Sequence, residues 1–514
     1  MAKVREILQL STSAKTIQSR LVHGSTSCCP HRARLTTMPR THASLIARTR
    51  RCYSGSANNH APTNRSHLIW LYCTVAFGSG VAGSVLLLSR QRIAGGPIAD
   101  HAAELAPETL SDTITRRLSS QARIYTDKSG PVAACHLTKI ASNSPCEDYC
   151  VRGQLESSEG LLEQPWSAWA VYDGHVGSQT AALLTKVLFP VVGDALSHLP
   201  HHSTDETVER TIKEAFVALD DDIVKGAAKA ALSNAAPYHE RMGKLTPAYA
   251  GSCALLSFLD PRTWTLRVAC VGDSRAVLGS QDAGGNWTAT ALSIDQTGSN
   301  EVEIARINAE HPGEGDIAKD GRILGIMVSR AFGDGRWKWD AETQEEIKNK
   351  YDGFKPLAPE KYAVTTPPYL TAEPVVTTTK LDKERSSFLI MASDGFWDRV
   401  SNEQAVNLVS CWLDSRDVNG KLNNQQFGTS VTPQPQHERF QMAKHRQGEP
   451  GFLFSRERST LQDENAAVHL ARNALGGNFQ EMVAANLLVD SPFSRYVRDD
   501  ITIQVIFFDP KKRS

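Results

Sequence analysis

Neither sign of charge prevails in this chain. Over 514 residues, Lys and Arg together number 56, and so do Asp and Glu. That balance argues against nucleic acid, or a generally acidic protein, as the partner. Cysteine is scarce as well. Ten in a chain of this length are too few for a disulfide framework. Cys146 and Cys150 form a lone C-x-x-x-C with no second pair at a zinc spacing, so they read as reduced thiols. No glycine-rich loop follows a strand-like run, which argues against a P-loop or dinucleotide fold. No internal repeat is found.

Acids are nearly missing from the first fifty-odd residues, where Glu6 stands alone against Lys3, Arg5, Lys15, Arg20 and six further arginines. Arg, Ser and Thr dominate there. Val4, Ile7, Leu8 and Leu10 share one helical face, and Arg50-Arg51-Cys52-Tyr53-Ser54 resembles a peptidase cleavage site. This composition reads as a mitochondrial transit peptide over residues 1–53, with a plain basic tail as the alternative. Residues 68–88 carry no charge, with Trp70 and Tyr72 near one end, Arg65 before and Arg90 and Arg92 after. A bilayer core takes about 20 apolar residues in a helix. Residues 66–90 are therefore expected to span a membrane, the alternative being a buried core helix. The expected location is a mitochondrial inner-membrane anchor, facing either the matrix or the intermembrane space.

Residues 94–119 read as a spacer with some helix, and a globular domain is expected over 120–510. Hydrophobic residues at 41% and charged residues at 22% are ordinary for such a domain. Strand-like runs occupy 167–172, 254–259, 265–271, 387–391 and 501–508. Amphipathic helical runs lie between them at 178–192, 208–225 and 300–308. Residues 415–463 are rich in Gln, Asn, Pro and Gly and read as a polar insertion.

Carboxylates recur at the ends of these strand-like runs. The run 168–172 leads into Asp173-Gly174-His175, 268–271 into Gly272-Asp273, and 388–391 through Ala392-Ser393 into Asp394-Gly395. Arg498-Asp499-Asp500 precedes 501–508. A single Asp-Gly is usually a turn. Four acidic sites each abutting an apolar strand are hard to explain as turns. Gathered carboxylates repel unless a cation neutralises them, and oxygen-only ligands suit Mg2+ or Mn2+.

The strings ASNSPCEDYC, AVYDGHVG, AGSCALL, VGDSRAVL, LGIMVSRAFGD, FLIMASDGFWD and RDDITIQVIFF occur in that order. Together they resemble the successive motifs of the type 2C metal-dependent serine/threonine protein phosphatases. NEVEIARINAEHPGE, GRWKW and PPYLTAEP further resemble the mitochondrial pyruvate dehydrogenase phosphatase branch. The resemblance implies an α+β fold, a four-layer αββα sandwich with two central antiparallel β-sheets. It implies two Mg2+ or Mn2+ ions, with a weaker third. Asp173 would bridge both, the carbonyl of Gly174 would reach one, and Asp394 and Asp499 would bind the other. Glu147 would act through water, with Asp148 and Asp500 nearby, and Asp273 and Asp398 would belong to the third-metal region.

Such a cation pair clamps a phosphoryl group and acidifies a water for in-line attack. His175 would then protonate the leaving oxygen. The residues departing from the common family pattern are Asn143, where an arginine binds substrate phosphate in many members, and Val176, in place of a glycine. Residues 329–334 and Ser274-Arg275 read as structural support. The expected substrate is a mitochondrial phosphoprotein, with the pyruvate dehydrogenase complex as first choice. A catalytically inactive binding module and a membrane adaptor are the alternatives.

Overall fold

The computed structural model describes residues 109–126, 130–156, 160–233, 235–351, 362, 364–416, 442–444 and 450–508. The expected leader, the apolar segment and most of the polar insertion lie outside these residues.

Two antiparallel sheets form the centre. The first has six strands: β1 (Arg123–Thr126), β2 (Val132–Ile140), β7 (Arg275–Gln281), β8 (Trp287–Ala291), β10 (Ser387–Ala392) and β11 (Ile501–Phe508), in spatial order β1-β2-β11-β10-β7-β8. The second has five: β3 (Tyr149–Leu155), β4 (Trp166–Tyr172), β5 (Ala254–Asp260), β6 (Thr265–Val271) and β9 (Val375–Lys380), in order β9-β6-β5-β4-β3.

Side chains alternate across a strand, so each central strand sorts its residues between two cores. Trp169 and Val171 of β4, Leu255 of β5, Val268 of β6, Leu389 and Met391 of β10 and Ile506 of β11 meet in one cluster between the sheets. Their neighbours face outward. Ala170, Tyr172, Leu256 and Phe258 pack with Leu184 and Leu188 of α2 (Gln179–Ser197) and Phe216 and Leu219 of α3 (Asp205–Leu232). A third helix, α4 (Tyr238–Tyr249), joins that layer through Leu245. On the other side Phe388, Ile390, Ile501 and Ile503 pack under α8 (Asn402–Asp414), α9 (Ala466–Leu475) and α10 (Gln480–Leu487). The four expected layers are therefore present, and the central strands of both sheets are buried on both faces. Among the described residues α2 alone is long and apolar enough to cross a membrane, and it is a core helix.

Two boundaries differ from the sequence reading. Residues 110–119 are not spacer: they form α1 (Leu110–Ser119), opened by a reciprocal Thr109–Asp112 capping box. Ile114 and Leu118 are fully buried against the first sheet's outer layer, so the compact fold starts upstream of residue 120. The polar insertion also ends in structure. Asp463 is buried, its carboxylate accepts from Arg472 Nε and Nη2 at 2.7 and 2.8 Å, and its carbonyl accepts from Trp412 Nε1 at 2.9 Å.

A smaller cluster around Ile307, Ile323, Leu324, Trp337 and Tyr369 builds a separate lobe between β8 and β9. It carries α5 (Glu301–Glu310), whereas α6 (Ala341–Lys350) packs through Ile347 into the core under α3. Glu303 on α5 fixes it, accepting from Arg330 Nη2 at 2.7 Å and Arg306 Nη2 at 2.9 Å.

Candidate functional site

β4, β6 and β10 stop at one end of the sandwich, and each is followed at once by acidic chain. Pairing in the sheets fixes those ends rigidly, so the carboxylates converge without a loop having to be ordered. Oxygens of Asp173, Asp273 and Asp394 lie within 4.8 Å of one another. Asp394 opens the one-turn helix α7 (Asp394–Trp397), closed by the Asp398 N–H donating to the Asp394 carbonyl at 2.8 Å. The Asp173 carbonyl accepts from Cys253 N at 2.8 Å, and Cys253 Sγ donates to Asp273 Oδ1 at 3.3 Å.

The electrostatics follow from this crowding. Burial pushes the Asp173 carboxyl well above the usual range, and the charges of Asp148, Asp394 and Asp273 push the same way. Asp148 is fully buried and raised to about 7, by burial first and then by Asp500. Its Oδ2 accepts from Ser393 Oγ at 2.7 Å, while its Oδ1 has no hydrogen-bond partner. A cluster of carboxylate oxygens within 4.8 Å of one another, with an unsatisfied buried carboxylate oxygen beside it, fits hard divalent cations.

Asp499 departs from the expectation. Its carboxylate is not in the three-residue cluster, because it pairs with Arg495 one helical turn earlier and accepts from Asp500 N at 2.7 Å. Asp273, expected in the weaker third region, takes its place in the cluster.

Asp500 organises the loop after β2. Its carboxylate accepts from the N–H groups of Ser142, Asn143 (3.0 Å) and Glu147 (2.8 Å). Glu147 then spans two loops, accepting from Gly177 N at 2.6 Å and from Asn143 Nδ2 at 2.7 Å. Burial raises its carboxyl. Asn143 is thus committed to holding Glu147. Gly174 lies against the carbonyl of Glu147, where a Cβ would collide with that oxygen.

Asp334 was missed by the sequence reading, which took residues 329–334 as support. Its Oδ2 lies 2.7 Å from His175 Nε2, and the aspartate is fully buried. The imidazole keeps about a quarter of its side-chain surface exposed, at 26%. Burial disfavours the imidazolium, but the charge and hydrogen bond of Asp334 outweigh it, so the net shift is upward. Gly251 makes the pair possible, since a side chain there would overlap both partners. The signal was available: Asp334 directly follows the two-residue strand Phe332–Gly333, as Asp173 directly follows β4.

Val176, next to this histidine, has φ of 58°, a left-handed conformation unfavourable for a β-branched residue. Arg275 pairs with Asp295 at 2.6 Å, in keeping with its structural reading.

The family profile of protein phosphatase 2C matches residues 140–427. A protein phosphatase 2C homolog of Schizosaccharomyces pombe is 38% identical, over 79% of this chain and 87% of its own length. The mitochondrial phosphatase 1 of pyruvate dehydrogenase (acetyl-transferring) from Saccharomyces cerevisiae is 34% identical over 72% of this chain and 68% of its own. The human mitochondrial phosphatase 2 of the same enzyme is 28% identical over 87% and 92%. The strand-end carboxylates, the sandwich that gathers them and these matches agree: the chain belongs to the protein phosphatase 2C family, the metal-dependent enzymes that dephosphorylate serine and threonine in proteins.

Proposed function

We propose that this chain is a mitochondrial phosphatase acting on phosphoserine or phosphothreonine, with the pyruvate dehydrogenase complex as substrate. It would use two Mg2+ or Mn2+ ions held by Asp173, Asp273 and Asp394, with the Gly174 carbonyl, Glu147 and Asp499 completing the set. The observation that carries the chemistry is the convergence of three strand-end aspartates beside a histidine paired with a buried carboxylate. Bound cations there supply Lewis acidity, which screens the phosphoryl charge and lowers the pKa of water.

The chain's own residues do the rest. Asp500 holds the loop that presents Glu147, and Glu147 ties that loop to the segment carrying His175. His175, whose imidazolium form Asp334 favours, gives its proton to the leaving serine or threonine oxygen. After the transfer, Asp334 holds the ring ready to take up another proton.

The target rests on the leader composition of residues 1–53 and on the two relatives named for pyruvate dehydrogenase. An inner-membrane anchor at residues 66–90 would put the catalytic domain on one side of that membrane. A matrix dehydrogenase is reachable only from the matrix side. Protease treatment of mitoplasts decides: a domain digested in intact mitoplasts faces the intermembrane space and loses this substrate. For the chemistry, phosphate release from a phosphoserine peptide must stop on adding chelator and return with Mn2+. Release indifferent to chelator would overturn the reading.

A further inference from the structure

A phosphorylated serine brings close to two negative charges to a site already crowded with carboxylates. Asn143 carries no charge and its amide is committed to Glu147 Oε2 and, at 3.4 Å, Asp500 Oδ2. Most arginines at this end are committed as well. Arg275 holds Asp295, Arg399 Nη2 donates to the Val497 carbonyl at 2.9 Å, and Arg498 donates to the carbonyls of Asn486, Val489 and Ala141.

Arg495 differs. Its side chain is 45% exposed, and its guanidinium pairs with Asp499, itself partly exposed. Asp499 precedes Asp500, whose carboxylate accepts from Glu147 N, so the pair lies beside the loop that presents Glu147. It sits on a 3-10 turn, Phe493–Tyr496, that is tied to the active-site loop. Ser494 Oγ donates to the Ser142 carbonyl, and Arg498 Nη2 to the Ala141 carbonyl at 2.7 Å. The turn therefore moves with the loop that bears Glu147. Phe493 and Tyr496 on the same turn are exposed, so this edge is open to a protein-sized ligand.

Resting on the phosphatase reading, we propose that Arg495 binds the substrate phosphate, supplying the charge that Asn143 does not. A guanidinium offers two parallel donors to a phosphoryl group. A solvent-exposed ion pair with Asp499 is worth little, so exchanging carboxylate for phosphate costs little.

The test uses the full chain and its Arg495→Ala and Arg495→Lys variants. Calorimetry reads binding of inorganic phosphate to the Mn2+-loaded proteins and, separately, binding of Mn2+. Kinetics with a phosphoserine peptide read KM and kcat. Loss of a charge-assisted contact predicts that Arg495→Ala weakens phosphate binding and raises KM by about tenfold or more. The change in kcat should be smaller, Arg495→Lys should recover part of the loss, and Mn2+ affinity should hold or rise. A change under about threefold in phosphate binding overturns the assignment. So does equal loss of phosphate and Mn2+ binding in both variants, which would mean Arg495 serves only to hold Asp499. Failure of the parent to release phosphate would sink the phosphatase reading instead, and the phosphate isotherms would still judge the arginine.

Discussion

Two sets of buried carboxylates in this protein meet opposite fates. Glu303 accepts from Ser329 Oγ, from Arg330 Nε and Nη2 and from Arg306 Nη2, all at 2.7–3.0 Å. Burial alone would raise its pKa, but these donors bring it down to about 2. Asp463 is clasped in the same way by Arg472. At the strand ends, Asp173 and Asp148 are raised instead, by burial and by the charges of neighbouring carboxylates, with the Ser393 hydroxyl donating to Asp148. Where a carboxylate serves architecture, the chain brings its own cation. Where it serves chemistry, the counter-charge must come from solution. Asp334 is intermediate: its partner His175 is a cation that can release its proton.

The largest effect should come from the set that needs external charge. Asp173→Ala should cut Mn2+-dependent phosphatase activity by about a thousandfold or more, since cation stabilisation is worth several kcal/mol of the barrier. Retained turnover would erase the contrast between the two sets. Next is the intermediate case. Asp334→Asn should lower kcat about a hundredfold. His175 would lose the partner that raises its pKa, so the fall in kcat with rising pH should begin at a lower pH than in the parent. An unmoved alkaline limb would remove Asp334 from the proton's path.

Glu303→Gln tests the architectural set. It leaves the buried Arg330 guanidinium without its carboxylate and should cost about 3 kcal/mol of stability, read as a lower Tm, while activity per folded molecule survives. Its depressed pKa sets the acid side: the stabilisation is present above the ordinary 4.5 and is lost as pH falls toward 2. Asp148 runs the other way. Its folded pKa of about 7 exceeds the ordinary 3.8, so that contribution is present below 3.8 and is lost as pH rises through 7. In chelator, Tm should therefore drop by a few degrees between pH 5 and pH 8, and Mn2+ should restore more at pH 8. Equal restoration at both would argue that the cation does not act through these carboxylates. The smallest effect is local. Val176→Gly should stabilise the fold by about 1 kcal/mol by relieving a left-handed β-branched residue. Calorimetric unfolding would show it.

Much of the sandwich was legible. The runs at 265–271 and 501–508 coincide with β6 and β11, because apolar stretches bounded by Gly-Asp or Asp-Asp leave little freedom in where a strand ends. Helix extent was less legible. α3 runs from Asp205 to Leu232, beyond the expected 208–225, because Ala227, Ala228 and Ala231 carry its buried face into the core and Thr204 caps its start. The expected spacer helix, α1, is short and polar on most faces, and only Ile114 and Leu118 reveal that it packs into the fold.

Sequence by itself determined that acidic residues stand at strand ends, since the period-2 apolar runs and the residues following them are adjacent along the chain. It determined the family too, through motifs in fixed order. Only the tertiary structure decided which acids meet. Asp273 joins Asp173 and Asp394 while Asp499 turns to Arg495, and Asp334 crosses 159 positions to reach His175. Those choices depend on how two sheets face each other and on which side chain wins a shared partner, quantities with no representation in local spacing.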